Sequence, residues 1–255
     1  MEHNERRIIV ANWKMYLSAN EVKNLFKKQH EIVRELSDIK QCRIIICPSS
    51  ENLFLVHEEL KAQNIFLGAQ TCSPFSSGAY TGQISARSLS EIGCRYCIIA
   101  HSEERARLKE SDELIQGQIE QTFNNNLVPI FCIGETIEQF REKKGPAVIK
   151  RQLQSLCTAL QNIKNKTVYI AYEPIWSIGT GTIAPADYLA MMFEHVQEAL
   201  AHCAQSHTIK LLYGGSVDGT SAVQFWKIPY LSGLLVGKAS TDFQMLKKIV
   251  LSSIE

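Results

Sequence analysis

The chain has 255 residues, with 27 lysines and arginines against 26 aspartates and glutamates and a formal net charge of +1. So even a balance excludes the broad basic footprint of a nucleic-acid binder, and an anionic ligand must be held by a few local groups. At 45% hydrophobic and 21% charged residues, the composition is that of a globular protein with enough chain for a sizeable core.

The opening Met1-Glu2-His3-Asn4-Glu5-Arg6-Arg7 lacks the apolar stretch of a secretory signal, and no apolar run is long enough to cross a bilayer. A soluble, cytoplasmic protein with neither membrane nor nucleic-acid partners is expected. The eight cysteines are scattered along a long chain without a signal, which predicts reduced thiols rather than disulfides. Cys94 and Cys97 form a Cys-x-x-Cys with His101 four residues on, but no second cysteine pair completes a zinc pattern. They read as small buried hydrophobes, and no metal is expected.

Ile8-Ile9-Val10-Ala11 is a first short strand, ending at Asn12-Trp13-Lys14, and Ser18 precedes a helix with Val22, Leu25, Phe26, Val33 and Leu36 on one face. The second strand, Arg43 to Cys47, is closed by Pro48, with Ser49 or Ser50 to cap the next helix. The third is Ile65 to Ala69, followed by a polar excursion from Gln70 to Gln83 that is too long for a routine connection. Tyr96 to Ala100 is the fourth strand; it ends at His101, with Ser102 able to cap the segment after it, and Asp112 opens another helix. Leu127 to Ile133 is the fifth strand, with a helix from Val148 to Leu160. Thr167-Val168-Tyr169-Ile170 is the sixth, and Pro185 suits the first turn of the helix after it. Lys210 to Tyr213 and Ser232 to Val236 are the seventh and eighth, and a helix from Phe243 to Ile254 closes the chain.

Eight apolar strands, each followed by helical pattern and with no linker between them, predict a parallel sheet of α/β type. Eight such units in this length fit one closed (β/α)8 barrel domain over residues 1–255. An open doubly wound sheet would ordinarily announce a Gly-x-Gly-x-x-Gly turn after its first strand, where this chain has Asn12-Trp13-Lys14.

In such a barrel the active site forms where the strands end. Asn12 and Lys14 follow the first strand and His101 the fourth. Glu173 follows the sixth, at the head of Pro174-Ile175-Trp176-Ser177-Ile178-Gly179-Thr180-Gly181, an apolar loop with two glycines. A carboxylate beneath such a loop reads as a base with a lid. Gly214-Gly215-Ser216 and Gly237-Lys238 follow the seventh and eighth strands, where backbone N–H groups can face an anion. Singly, each has a bland alternative as core histidine, surface lysine or tight turn; together they supply a base, a polariser, a fixed cation and an anion seat.

These stretches carry a resemblance over essentially the whole chain. With Asn12-Trp13-Lys14-Met15, His101-Ser102-Glu103, Phe131-Cys132-Ile133-Gly134-Glu135-Thr136, Ala171-Tyr172-Glu173-Pro174-Ile175-Trp176 and Tyr213-Gly214-Gly215-Ser216-Val217 in order, the sequence resembles the triosephosphate isomerase family. The resemblance implies cofactor-free interconversion of dihydroxyacetone phosphate and glyceraldehyde 3-phosphate through an enediolate, a step of glycolysis and gluconeogenesis. It assigns Glu173 as the base, His101 as a neutral hydrogen-bond donor, Lys14 as the fixed cation and Asn12 as the group that orients substrate. It places the phosphate on Gly179, Ser216, Gly237 and Lys238, with Ile178 and Leu235 pressing water off Glu173. It implies a homodimer through the loop Cys72 to Ser85. The chain departs from the family pattern with Glu104 for an Arg, Ala100 for a Gly before His101, Thr182 for a Lys and Lys238 for a Gly, and at Tyr16 and Gln83. Rival readings are a barrel enzyme for another sugar phosphate and a non-catalytic phosphate-binding scaffold.

Overall fold

The computed structural model describes residues 6–161 and 163–254; most of the opening stretch read for a signal lies outside them. Eight strands, β1 (Arg7–Asn12), β2 (Cys42–Cys47), β3 (Phe66–Ala69), β4 (Tyr96–Ile99), β5 (Val128–Ile133), β6 (Thr167–Tyr172), β7 (Thr208–Tyr213) and β8 (Leu231–Val236), pair in parallel and in chain order. β8 returns to β1 with Leu235 opposite Val10, which closes the barrel and leaves no sheet edge.

The continuous apolar runs result from this closure. Ile8, Val10, Ile45, Tyr96, Ile98, Ile130, Tyr169, Leu212 and Leu235 form one buried cluster inside the barrel. The alternate residues Ile9, Ala11, Ile44, Ile46, Ile99 and Phe131 pack in the same cluster as the helices. A strand buried on both faces has no position to spare for a polar residue except at its ends.

The outer layer is α1 (Ala19–Asp38), α2 (Leu53–Leu60), α3 (Ala86–Ile92), α4 (Ser102–Leu108), α5 (Asp112–Asn124), α6 (Ile137–Arg141), α7 (Gly145–Leu160), α8 (Ala186–Leu200) and α9 (Phe243–Leu251). Ser18 caps α1 as expected: its Oγ accepts from the Glu21 N–H, and the Glu21 carboxylate accepts from the Ser18 N–H at 2.8 Å. Val22, Phe26, Val33 and Leu36 are then buried on one face. Phe26 meets Phe243 of α9 edge-on at 5.1 Å, and Trp13 lies 6.1 Å from Phe243, which ties the end of β1 to the last helix.

Four local expectations differ from the structure. After β7 there is a 3₁₀ stretch, Ala222–Lys227, in place of an α-helix, because Gly214, Gly215, Gly219 and Pro229 leave little helix-forming chain between the strands. Pro185 is the N-cap of α8 rather than part of its first turn. Ser102 is the first residue of α4, and His101 is its cap. Finally, the expectation of reduced thiols throughout fails at one pair, because Cys157 and Cys203 are joined in a disulfide. They lie 46 residues apart but on neighbouring elements, with Cα atoms at 5.4 Å, a proximity that sequence spacing does not report. The other six cysteines are free and buried. Burial pushes the Cys94 thiol up to about 12 and that of Cys97 well above its ordinary value, as for small hydrophobes.

Candidate active site

Asn12 is the last residue of β1 and is buried. Its Oδ1 accepts the Lys14 N–H at 3.0 Å and so holds Lys14 at φ +48°, a left-handed conformation rare outside glycine. The Gln70 amide braces the same turn by donating to the carbonyls of Lys14 at 2.8 Å and Cys47 at 3.0 Å. The Lys14 ammonium donates to Glu103 Oε1 at 2.9 Å. The Trp13 indole donates to the Ser240 carbonyl at 2.9 Å, which joins this turn to the one after β8.

His101 reaches the rim as the cap of α4. Its Nδ1 accepts the Glu103 N–H at 3.3 Å, so the neutral ring that this bond requires carries its proton on Nε2. Nε2 lies 3.1 Å from Glu173 Oε1, and Glu173 Oε2 accepts the Ser102 N–H at 3.2 Å. Glu173 is 2% exposed. Burial raises its carboxyl, but the His101 charge and hydrogen bond, the Ser102 N–H and Lys14 together outweigh it and hold Glu173 below the ordinary glutamate value. Burial likewise lowers His101, and Glu173 outweighs it against the opposing charge of Lys14, leaving the imidazole above its ordinary value. Backbone and glycines crowd the carboxylate: a Cβ at Gly214 would lie 2.8 Å from Glu173 Cγ, and one at Gly134 would run into the Glu173 carbonyl.

The loop 174–184 is pinned at both roots and exposed at its tip, where the Ser177 hydroxyl donates to the Thr182 carbonyl at 2.6 Å. Trp176 Nε1 donates to Glu135 Oε1 at 2.8 Å, and the Tyr172 and Tyr188 hydroxyls donate to the same carboxylate at 2.9 and 3.1 Å. On the other side Ser177 Oγ and Tyr213 OH lie 3.1 Å apart, the Ala184 N–H donates to Tyr213 OH at 3.4 Å, and Ser216 Oγ donates to the Ser177 carbonyl at 2.5 Å. Residues 179–183 between these roots are exposed, with Gly179 at φ +67° and Gly181 at φ +75°.

One cavity of about 280 Å³ gathers Asn12, Lys14, His101, Glu173, Gly179, Ser216, Gly237 and Lys238, with Ile178 and Leu235 in its wall. Every candidate site residue read from the strand ends therefore faces the same space. A larger cavity of about 440 Å³ lies beside it, lined by Met15, Gln70, Glu104 and Glu110 among others. It holds none of the paired base and imidazole, so the smaller cavity is the better place for chemistry.

Glu135, Ser177 and Tyr213 received no role from the sequence, although each has one in holding the lid. Glu135 had a legible signal: like Glu173, it is a carboxylate at the end of a buried strand, where an unpaired charge is costly. Ser177 and Tyr213 act through contacts between separate strand ends, which no local pattern announces.

A closed (β/α)8 barrel with a buried carboxylate and imidazole facing each other, a lysine and glycine turns at one rim is the architecture of barrel enzymes that do acid–base chemistry on small anions. The sequence profile described as Triosephosphate isomerase matches residues 7–253. The chain is 36% identical over 250 residues to the triosephosphate isomerase of Dictyoglomus thermophilum, covering 97% of this chain and 99% of that one. It is 37% identical over 254 residues to that of Aquifex aeolicus, again covering 97% and 99%. Its fold superposes on the crystal structure of triosephosphate isomerase from Bartonella henselae with a TM-score of 0.83 at 28% identity, covering 98% of this chain and 100% of that one. The chain belongs to the triosephosphate isomerase family.

Proposed function

We propose that the chain interconverts dihydroxyacetone phosphate and glyceraldehyde 3-phosphate through an enediolate, without a cofactor. The observation that carries this is the opposition of Glu173 Oε1 and His101 Nε2 at 3.1 Å, with Nδ1 already occupied by the Glu103 N–H. It leaves one base and one N–H donor facing a single small space. Substrate entering between them replaces their mutual contact. Glu173 takes a proton from the carbon beside the carbonyl and returns it to the neighbouring carbon, while the His101 Nε2–H hydrogen-bonds the oxygens that exchange charge. Losing Glu173 as neighbour also removes the largest influence that raises His101.

Lys14 supplies fixed positive charge to the enediolate and phosphate, and Asn12 orients the substrate and holds the Lys14 turn. The phosphate sits on backbone N–H groups of Gly179, Ser216, Gly237 and Lys238. Closing residues 174–184 brings Gly179 over the phosphate and presses Ile178 and Leu235 on Glu173, stripping its water and strengthening it as a base.

The strands of the closed barrel span Arg7 to Val236, which supports a single domain over the chain. No helix of the described residues is long and apolar enough to cross a membrane, in keeping with a cytoplasmic enzyme. A homodimer through the loop 72–85 is supported by what that loop presents. Phe75 and Tyr80 stack at 4.0 Å yet are 37% and 42% exposed, and Met15 beside the larger cavity is 90% exposed. Sedimentation that finds a fully active monomer at low concentration would remove the dimer.

The deciding experiment is a coupled assay on glyceraldehyde 3-phosphate with Glu173→Gln as control. Turnover is expected in the parent and to fall by at least about 10³-fold in the variant, the scale of losing a general base together with its positioning. Equal rates in both would overturn the assignment.

A further inference from the structure

The loops after α7 and α8 lead directly into the starts of β6 and β7, so the C-terminal ends of both helices lie at the opposite end of the barrel from the cavity. There Cys157, in the last turn of α7, meets His202 and Cys203, in the turn after α8. The two sulfurs and one imidazole nitrogen all lie within 4.8 Å of one another. The two cysteines are partly buried against the core, and the histidine is exposed.

We propose that Cys157, His202 and Cys203 form a site for one soft divalent cation of the zinc type, available when the two sulfurs are reduced and closed when they are joined. Two thiolates and an imidazole are a donor set suited to such an ion, and water completes a tetrahedron. Zinc–sulfur bonds of about 2.3 Å set the two sulfurs about 3.8 Å apart. With the Cα atoms of the two residues 5.4 Å apart, side-chain rotation is enough to open the bridge to that spacing.

The electrostatics favour a cation at this point. The 16-residue α7 and the 15-residue α8 both end here, and a helix C-terminus carries partial negative charge on its unpaired carbonyls. No basic residue lies in the last turn of either helix. Five of the six other thiols are poor competitors: burial pushes Cys42 and Cys94 up to about 12 and Cys47, Cys97 and Cys132 well above their ordinary value. Among the described residues, Cys157, His202 and Cys203 are the group of three whose ligand atoms stand close enough for one ion.

The chemistry balances with a small thiol as reductant. Two equivalents of thiol reduce the disulfide by exchange, become a disulfide themselves and leave two cysteine thiols. One zinc ion then displaces the two thiol protons to solvent and takes the imidazole as third ligand. Oxidation by a low-molecular-weight disulfide reverses the sequence and releases the ion.

The test uses the full chain, reduced with a phosphine that contributes no thiol of its own and then dialysed. Zinc is titrated in competition with a chromogenic chelator, and cobalt is added separately to read the near-ultraviolet thiolate-to-cobalt band. The reduced parent is expected to bind one zinc per chain and the disulfide form none. Cys157→Ser and Cys203→Ser should lose the site and the cobalt band, and His202→Ala should weaken binding by at least tenfold. Isomerisation by all three variants should match the parent, since the site lies at the other end of the barrel, and this also verifies their folding. Should the serine variants not fold, mass spectrometry of the alkylated parent decides, with zinc expected to protect Cys157 and Cys203 from iodoacetamide. Zinc retained by the Cys157→Ser variant, or alkylation of the two residues unaffected by zinc, would overturn the proposal.

Discussion

The indole N–H of Trp176 donates to Glu135 Oε1 at 2.8 Å, so the first residues of the lid are tied to the end of a different strand, β5. Glu135 is fully buried, and its carboxylate accepts from Tyr172 and Tyr188 as well. Trp176 also lies 4.5 Å from the ring of Phe140. Trp176→Phe keeps the aromatic contact and removes one hydrogen bond to a charged acceptor. It should destabilise the protein by about 2 kcal/mol, measured as a shift of the urea midpoint without change of slope. An unchanged midpoint would mean that the lid root is held by packing alone.

Glu173 and His101 give stability two opposite pH limbs. Glu173 titrates below its ordinary value when folded, so its contribution is complete above about pH 4.3 and is lost as pH falls through the lower folded value. His101 titrates above its ordinary value, so its contribution is complete below about pH 6.5 and is lost as pH rises through the higher folded value. Urea unfolding of the ligand-free protein across this range should show a plateau between the limbs, and Glu173→Gln should flatten both. A histidine limb undiminished in Glu173→Gln would show that Glu103, which also raises His101, outweighs Glu173.

Glu104 shows what the charge reversal does. Burial, with Glu110 as its next-largest influence, pushes its carboxyl up to about 7, and one oxygen each of Glu104, Glu110 and Gln118 is buried without a partner. A carboxyl raised in the folded state binds more protons folded than unfolded, so stability falls as pH rises from about 4.3 to about 7. Glu104→Gln should therefore raise the melting temperature at pH 8 and change little at pH 4, read by calorimetry. An equal shift at both pH values would point to packing instead of charge.

Ala100 stands at φ +59° immediately before His101. The sequence suggests only a loss of freedom relative to glycine, but a left-handed alanine is strained. Ala100→Gly should stabilise the protein by about 1 kcal/mol, measured by denaturant unfolding. A destabilised variant would mean that the buried methyl group contributes more than the strain costs.

Much of this molecule is legible without coordinates because its signals are local. Ile44-Ile45-Ile46 and Tyr169-Ile170-Ala171 are buried on both faces, so strands announce themselves as unbroken apolar runs. A polar residue that ends such a run, as Asn12, His101 and Glu173 do, is marked by position alone. Parallel closure then forces all strand ends to one rim, which is why the candidate site could be read residue by residue.

What only the tertiary structure decided are the contacts between residues far apart in the chain. That Ser102 supports Glu173 across 71 residues and that Cys157 meets Cys203 across 46 have no signature in composition or period. The titration of Glu173, His101 and Glu104 belongs to the same class. Each depends on burial and on a neighbour's charge, and these act through space with a strength set by distances that the order of residues does not contain.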